Sequence, residues 1–306
     1  MKVTVLMGGD GNERAISLKT GGAMADALEG AGYTVERFDF RRARLGEFVA
    51  TPHDVVLFAM HGRDGEDGVM QAVCELLDAP YTGSGVQASA LAIDKVRSKQ
   101  MFVAAGVATP ESAVATRADA ECPVALPAVV KPSKDGSSVG VALVREPAEW
   151  AAARDRAADG DGVVLVERFI AGRELSVGVR DGALLGVVEI HTSSAFFDHE
   201  AKYESEETTV TLPAQLTEET TGAVEAAALG AYAALGCRGV ARVDVMLDEA
   251  ERPYVLEVNT TPGMTASSLV PKMAAALGES FASFVAGLVG SATTDAAVDA
   301  QDQGAA

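Results

Sequence analysis

Polar and charged side chains alternate with apolar ones in two neighbouring segments near the end of the chain. In the segment GVARVDVM, Arg242 and Asp244 are two residues apart, and in YVLEVN so are Glu257 and Asn259. Because side chains alternate between the two faces of a strand, each pair shares one face. A hairpin turn at residues 248–253 would place Asp244 opposite Glu257 and Arg242 opposite Asn259. The sequence therefore predicts two directly opposed carboxylates on one face of a sheet.

Opposed carboxylates repel each other and destabilise a sheet unless positive charge lies between them. A divalent cation would supply that charge. Mg²⁺ prefers carboxylate and amide oxygens and leaves coordination positions for phosphates. The pattern therefore indicates a magnesium site formed by Asp244, Glu257 and Asn259. The alternative is a solvated sheet face on which Arg242 neutralises both acids, since polar alternation is common on exposed sheets.

A segment rich in glycine and serine, KPSKDGSSVG, begins at Lys131 after a short apolar run. Its small residues, Ser137 and Ser138 among them, let backbone N–H groups approach phosphate oxygens, and Lys131 adds a cation. The segment lacks the GK[ST] ending of a Walker A loop and leads into a strand rather than a helix. It is either a phosphate-binding loop or a plain flexible turn.

Three further turns carry groups suited to binding. The segment GGDGNERAIS places Glu13 and Ser17 at the start of the first predicted helix. An acid there either complements the helix dipole or binds a substrate ammonium group. The segment NTTPGMTASS, with Gly263 and Ser268, either caps a helix or offers N–H groups to an anion. His61 is the first residue of the polar loop HGRDGEDG. It is either a structural histidine or one that titrates.

Apolar and β-branched runs predict the strands that must position these groups. The first part of the chain alternates strand, helix and strand, which predicts an α/β unit with parallel strands. Ligands usually bind at the carboxyl ends of such strands, and HGRDGEDG lies at one of them. The elements of this unit are strands at 2–7, 34–38 and 55–60 and a helix at 15–31. Later strands are predicted at 128–131, 139–144, 163–167, 239–247 and 254–259.

Helices and loops follow in the second half of the chain. Thr217 is predicted to cap a helix whose first turn is acidic. This helix is predicted to end at Gly236. A further helical segment is predicted at about 267–288. Residues 192–213 show no hydrophobic period, which indicates a long surface loop. The polar chain from residue 291 is expected to be a frayed tail.

The composition limits the class of protein. The chain has 306 residues, enough for two or three domains, and 25 Lys plus Arg against 44 Asp plus Glu give a net charge of −19. Such an acidic surface argues against nucleic acid or a membrane as the partner. The three cysteines form no CxxC pair, which disfavours a disulfide framework and a thiolate zinc site. No apolar stretch approaches the roughly 18 residues of a membrane span, so a cytoplasmic protein is expected.

Eight ordered motifs resemble those of the D-alanine–D-alanine ligases of the ATP-grasp fold. They are GGDGNERAISL, HGRDGEDGVMQ, ALAIDKVRSK, VVKPSKDGSSVGV, VERFIAGRELSVGV, FFDHEAKY, GVARVDVM and EVNTTPGMTASSLVP. The resemblance implies a mixed α/β protein with nucleotide bound between its central and C-terminal domains. The implied parts are an N-terminal parallel α/β substrate domain at 1–95, a central ATP-grasp part at 96–177, a C-terminal part with metal site and lid loop at 178–290, and a flexible tail at 291–306.

The resemblance also implies an activity. Such ligases use ATP to phosphorylate the carboxylate of one D-alanine, and the amine of a second attacks the acylphosphate, in peptidoglycan precursor synthesis. Two Mg²⁺ or Mn²⁺ ions and a homodimer are implied as well. The alternatives are another ATP-grasp carboxylate–amine ligase, making a depsipeptide or a different dipeptide, and a nucleotide-binding regulator without catalysis. The complete set of acid, cation and metal-ligand positions argues against the regulator.

The motifs assign roles by position. Glu13 matches the acid on the first substrate's ammonium group, with Ser17 and His61 in the same subsite. Arg242 and the Gly263 N–H match the oxyanion contacts, and Asp244, Glu257 and Asn259 match the metal ligands. Positions matching ATP contacts are Lys95, Lys131, Ser138, Glu167 and Glu174. Ser137 and Tyr203 match catalytic positions in mobile loops, and Lys202, Ser268 and Leu269 match contacts to the second substrate.

Tyr203 bears on the choice of second substrate. Ligases of the family that make the dipeptide carry tyrosine at this point, whereas those that join D-lactate tend to carry phenylalanine. The pair Lys202-Tyr203 therefore favours D-alanine. We expect Tyr203→Phe to let D-lactate compete, as measured by mass spectrometry of the product. The absence of depsipeptide from this variant at every pH tested would contradict the expectation.

Overall fold

The computed structural model describes residues 1–134, 140–192 and 209–304 and forms three sheets, one parallel and two antiparallel. This arrangement confirms the predicted mixed α/β class. The first sheet contains β1 (Lys2–Gly8), β2 (Thr34–Phe40) and β3 (Val55–Phe58) in the parallel order β2-β1-β3. Its helices are α1 (Arg14–Gly30), α2 (Leu45–Ala50), α3 (Val69–Leu76), α4 (Val86–Ile93) and α5 (Lys95–Ala104), with a 3₁₀ turn at Arg42–Arg44.

The second sheet is antiparallel and carries the predicted hairpin. Its strands are β4 (Ser112–Ala115), β5 (Ala128–Pro132), β6 (Ala142–Val144) and β7 (Val164–Arg168), in the order β4-β7-β5-β6. A 3₁₀ turn (Pro147–Glu149) leads into α6 (Trp150–Ala157), which packs Trp150 and Ala153 into the core of this sheet. Pairing of β5 with β6 confirms the hairpin, although residues 135–139 of its tip lie outside the described residues.

The third sheet is antiparallel and has the order β10-β9-β8-β11-β12. Its strands are β8 (Gly172–Arg180), β9 (Ala183–His191), β10 (Thr209–Thr211), β11 (Val240–Asp248) and β12 (Pro253–Asn259). The helix α7 (Glu218–Ala234) covers one face, and the Thr217 hydroxyl accepts the Thr220 N–H as predicted. Most of the predicted loop at 192–213 lies outside the described residues. Because β8 begins at Gly172, the predicted domain boundary after residue 177 runs through a strand.

The helical segment predicted at about 267–288 is helical but interrupted. Two helices stand there, α8 (Leu269–Ala276) and α9 (Phe281–Gly290), because Gly278 takes a left-handed φ of +87° and Ser280 caps the second helix. Phe284 and Leu288 of α9 pack with Leu28 of α1 in the core of the first sheet. No single helix within the described ranges is long and apolar enough to cross a membrane, although the bent pair α8 and α9 has sufficient combined length.

The predicted frayed tail after residue 291 is wrong for the described part. Thr293 pairs with Tyr81 in an antiparallel bridge, and α10 (Asp295–Gly304) follows. The polar composition of this segment shows that it is solvated, which is compatible with a surface helix as well as with disorder. Long-range contacts of Asp295, invisible in the local sequence, hold the start of the helix in place.

Candidate active site

The predicted register of β11 and β12 is confirmed. Asp244 pairs with Glu257 and Arg242 with Asn259, and the register shifts only after Asp244. Ser176 of β8 lies beside Asp244 on the other side, and its hydroxyl donates a hydrogen bond of 2.6 Å to Asp244 Oδ1. Two carboxylates, an amide and a guanidinium therefore meet on one face of the third sheet.

Each of the two opposed acids has a cation beside it. Arg242 donates two parallel hydrogen bonds of 2.8 Å to the two oxygens of Asp244. Lys95, the first residue of α5, places its Nζ 3.3 Å from Glu257 Oε2. In the alternative prediction, Arg242 alone neutralised both acids. In the structure, Lys95 lies beside Glu257. Helix α5 therefore brings a positive charge to the edge of the acidic face.

The donor set on this face fits a hard divalent cation. Asp244 and Glu257 supply charged oxygens, and Asn259 Oδ1, which accepts the Thr261 N–H at 3.1 Å, retains a second lone pair. No cluster of three or more His, Cys, Asp or Glu suited to a metal occurs in the part of the chain that the structure describes. A cation here would therefore depend on two carboxylates, one amide oxygen and oxygens from its other ligands.

A buried carboxylate on an inner strand of the second sheet lies between two lysines. Glu167 on β7 forms ion pairs with Lys131 on the neighbouring β5 and, at 2.5 Å, with Lys99 on α5. Burial raises the pKa of the Glu167 carboxyl, but Lys131 and Lys99 outweigh it and hold this pKa below its usual value. Burial lowers the pKa of Lys99, and nearby Lys131 lowers it further. All three side chains are therefore linked by charge.

Lys131 links the buried Glu167 group to the acidic face that carries Glu257. Burial alone would lower the pKa of Lys131, but Glu167 and Glu257 raise it, with a smaller contribution from Glu174 on β8. Lys99 was missed by sequence reasoning. Its spacing of four residues from Lys95 puts both lysines on one side of α5, and that spacing was the available signal.

A second group of predicted residues lies at the carboxyl ends of β1 and β3. The Ser17 hydroxyl donates to Ala59 O at 2.7 Å and accepts the Gly8 N–H at 2.9 Å, so it ties α1 to both strands. The Glu13 carboxylate lies so close to Gly62, whose φ is +66°, that a Cβ there would collide with it. The Glu13 side chain therefore packs against the loop that begins at His61.

His61 connects the N-terminal layer to the loop that follows β12. Its Nδ1 lies 2.9 Å from Thr261 O, two residues beyond Asn259, and its Nε2 lies 3.0 Å from Thr20 Oγ1. The Glu66 carboxylate is 3.7 Å from Nδ1. Burial lowers the pKa of the imidazole, but Glu66 and Glu13 outweigh burial and raise the pKa above its ordinary value.

We expect Glu66→Gln to lower the pKa of His61, because the variant removes the strongest opposing charge. A raised pKa in the folded state means that His61 stabilises the fold fully below its unfolded value of 6.5, and that this contribution is lost as the pH rises through the folded pKa. NMR titration of the imidazole in the wild type and the variant measures the shift. An unchanged titration in Glu66→Gln would show that Glu66 does not set this charge.

The turn before α8 brings Gly263 and Ser268 together. Ser268 is the N-cap residue of α8, and its Oγ accepts the Thr265 N–H at 3.1 Å. A Cβ built on Gly263 would lie 3.1 Å from that Oγ, so the glycine permits a close approach. Leu269 is the first residue of the helix and packs against the core of the first sheet. Ser137, Ser138, Lys202 and Tyr203 lie outside the described residues.

Comparisons with known proteins agree over nearly the whole chain. The family described as "D-ala D-ala ligase C-terminus" matches residues 96–290. The D-alanine–D-alanine ligase of Syntrophotalea carbinolica is 45% identical over 282 residues, which are 92% of each chain. That of Anaeromyxobacter sp. strain K is 47% identical over 286 residues, covering 92% of this chain and 93% of the relative.

Solved structures give the same result for the fold. The D-alanine–D-alanine ligase of Bacillus anthracis superposes with a TM-score of 0.84 at 34% identity, covering 94% of this chain and 96% of the other. Its complex with ATP has a TM-score of 0.82 at 33% identity, with coverage of 94% and 95%. The VanG D-Ala:D-Ser ligase of Enterococcus faecalis has a TM-score of 0.82 at 28% identity, with coverage of 94% and 98%.

Proposed function

The chain belongs to the D-alanine–D-alanine ligase family, and we propose that it joins two D-alanine molecules through a D-alanyl phosphate. It is an ATP-dependent ligase, as its curated relatives are. In the proposed route the carboxylate of the first D-alanine takes the γ-phosphoryl group of ATP and ADP leaves. The amine of the second D-alanine then attacks the acyl carbon, loses a proton, and inorganic phosphate departs as the peptide bond forms.

One observation carries the proposal, which is the opposed pair Asp244 and Glu257 with Arg242 and Lys95 beside it. A carboxylate becomes a good electrophile only when it is phosphorylated, and phosphoryl transfer needs charge neutralisation at the transferring group. Asp244, Glu257 and Asn259 would hold Mg²⁺ or Mn²⁺, in two ions as the family resemblance implies. When bound, the metal neutralises charge on the phosphate oxygens.

The lysines of the site suit ATP. We assign Lys95 and Lys131 to the phosphates. Lys95 pairs with Glu257 on the acidic face, and Lys131, which pairs with Glu167 of the second sheet, lies close enough to Glu257 for that carboxylate to raise its pKa. By resemblance, Glu167 and Glu174 approach the adenine and the ribose, and Ser138 adds a contact from the glycine loop. The ATP complex of the Bacillus anthracis enzyme, which shares the fold, supports use of this nucleotide.

The amino-acid subsites follow from the remaining groups. Glu13, held against Gly62, would take the ammonium group of the first D-alanine, with Ser17 and His61 supporting its loop. Arg242 and the Gly263 N–H would stabilise the oxyanion of the tetrahedral intermediate. Ser268, Leu269 and Lys202 would contact the second substrate, while Ser137 and Tyr203 would act from loops that exclude water from the acylphosphate.

Inorganic phosphate release tests the proposal directly. The purified protein is mixed with ATP, Mg²⁺ and D-alanine alone, and the product is identified by mass spectrometry. Phosphate together with D-alanyl-D-alanine supports the proposal. Release only when D-lactate or D-serine is added as acceptor would make it a related ligase, an alternative that the shared fold with a D-Ala:D-Ser ligase keeps open. No release with any acceptor would indicate a non-catalytic nucleotide-binding protein.

The cellular setting is part of the same proposal. We assign the reaction to peptidoglycan precursor synthesis in the cytoplasm, in line with the family resemblance. On the same basis we propose that the protein is a homodimer. Sedimentation velocity at several protein concentrations measures the dimer. A monomer across the whole concentration range would remove that part of the proposal and leave the reaction unaffected.

A further inference from the structure

The segment at Thr293 and Asp295 fastens the end of the chain to the first sheet. Thr293 and Tyr81 exchange two backbone hydrogen bonds of 3.1 and 3.2 Å, and Tyr81 in turn bridges to Val56 of β3. The Asp295 N–H donates at 2.6 Å to the carboxylate of Glu75, which also accepts the Tyr81 hydroxyl. Thr293 therefore adds one short bridge to the first sheet by way of Tyr81.

The Asp295 carboxylate supplies the cap that α4 lacks. Gly85, the N-cap residue of α4, has no side chain, and Asp295 Oδ2 accepts the N–H of Val86 at 3.0 Å from 209 residues away. The carboxylate sits directly on Gly85, because a Cβ built there would collide with both of its oxygens. An anion at this position also complements the helix dipole. Asp295 therefore acts on α4 as a local capping residue would.

The same carboxylate meets Arg238, which lies two residues before the strand that bears Arg242 and Asp244. Arg238 contacts Asp295 Oδ1 at 3.3 Å, donates to Gly83 O at 2.6 Å, and lies over the Tyr81 ring at 4.6 Å. The backbones also touch here, since a Cβ on Gly239 would lie 2.8 Å from Gly83 Cα. The N-terminal end of α4 and the start of β11 are thus fixed to each other through Asp295.

We propose that Asp295 is a positioning residue for the ligation reaction, acting through α4 on Lys95. Helix α4 ends at Ile93, Asp94 caps α5, and Lys95 opens α5 with its Nζ at Glu257. Capping of α4 by Asp295 holds this run of chain in register with β11 and β12. The proposal rests on the proposed function, because it assumes that Lys95 binds ATP phosphates.

Asp295→Ala in the full chain tests the proposal, with Asp299→Ala as the matched control on the exposed side of the same helix. An N-cap contributes about a fivefold change in a local equilibrium. We expect amide hydrogen exchange in 86–95 to accelerate about fivefold in Asp295→Ala, and the KM for ATP to rise by a similar factor with kcat nearly unchanged. Asp299→Ala should match the wild type in both measurements.

A second substitution separates capping from general stability. Gly85→Ser in the Asp295→Ala background places a capping hydroxyl on α4 itself, and it is expected to restore slow exchange and the KM for ATP. Exchange that accelerates only in 291–304, or a lowered melting temperature with unchanged KM, would overturn the proposal. If the wild type itself lacks ligase activity, the proposed function fails, whereas the exchange measurement still reports on the cap.

Discussion

Replacing Asp244 by asparagine is expected to lower kcat/KM by about 10²–10³-fold, the range found when one preorganised electrostatic contact at a transition state is removed. Asp244 lies opposite Glu257, accepts the Ser176 hydroxyl and holds Arg242 by two hydrogen bonds. The amide keeps the size of the side chain but removes its charge. The variant therefore weakens the proposed metal site and releases Arg242 from its fixed orientation.

The measurement is the initial rate of ADP release over a range of ATP concentrations at saturating D-alanine, repeated at several Mg²⁺ concentrations. Asp248→Asn is the matched control, because Asp248 lies on the same strand but binds the N–H groups of Ala250 and Arg252 in the turn. The control should keep near wild-type activity. If Asp244→Asn keeps kcat/KM within tenfold of the wild type at every Mg²⁺ concentration, Asp244 is not a ligand that the reaction needs.

Replacing Glu167 by glutamine is expected to lower the free energy of unfolding by about 3–5 kcal/mol, the cost of breaking a buried ion pair on one side. Glu167 is 1% exposed, and its carboxylate contacts both Lys131 and Lys99. Their side chains are 9% and 4% exposed. The variant leaves two buried ammonium groups without their shared anion, and they repel each other.

Urea unfolding at neutral pH measures this change, with the exposed Glu111→Gln as control. Adding Lys99→Met to Glu167→Gln should recover part of the loss, because one unpaired charge is then gone. The pKa of Glu167 is lowered in the fold, so its contribution is present above about pH 4.5 and is lost as the pH falls through the folded pKa. A loss below about 1 kcal/mol at neutral pH would mean that solvent reaches these groups.

The register of the β11–β12 hairpin could be predicted because it depends on neighbouring residues. A strand has a period of two, and the short turn between β11 and β12 allows few pairings that keep the apolar side chains buried. Asp244 and Glu257 therefore had to face each other. The cap at Thr217 was predictable for the same reason, since its partner is three residues away. The eight motifs predicted the family, and the comparisons confirmed it over most of the chain.

The partners of the buried charges were decided only by the tertiary structure. Lys99 meets Glu167 because α5, which packs its Phe102 into the core of the third sheet, extends the Lys99 side chain to β7 of the second sheet. His61 meets Thr261 across 200 residues of sequence. Asp295 lies in a polar segment whose composition alone indicates solvation, yet its carboxylate caps a helix 209 residues earlier. Local sequence determines periods, caps and turns because these interactions span a few residues. Buried ion pairs and distant caps depend on which surfaces pack together, and no local pattern encodes that choice.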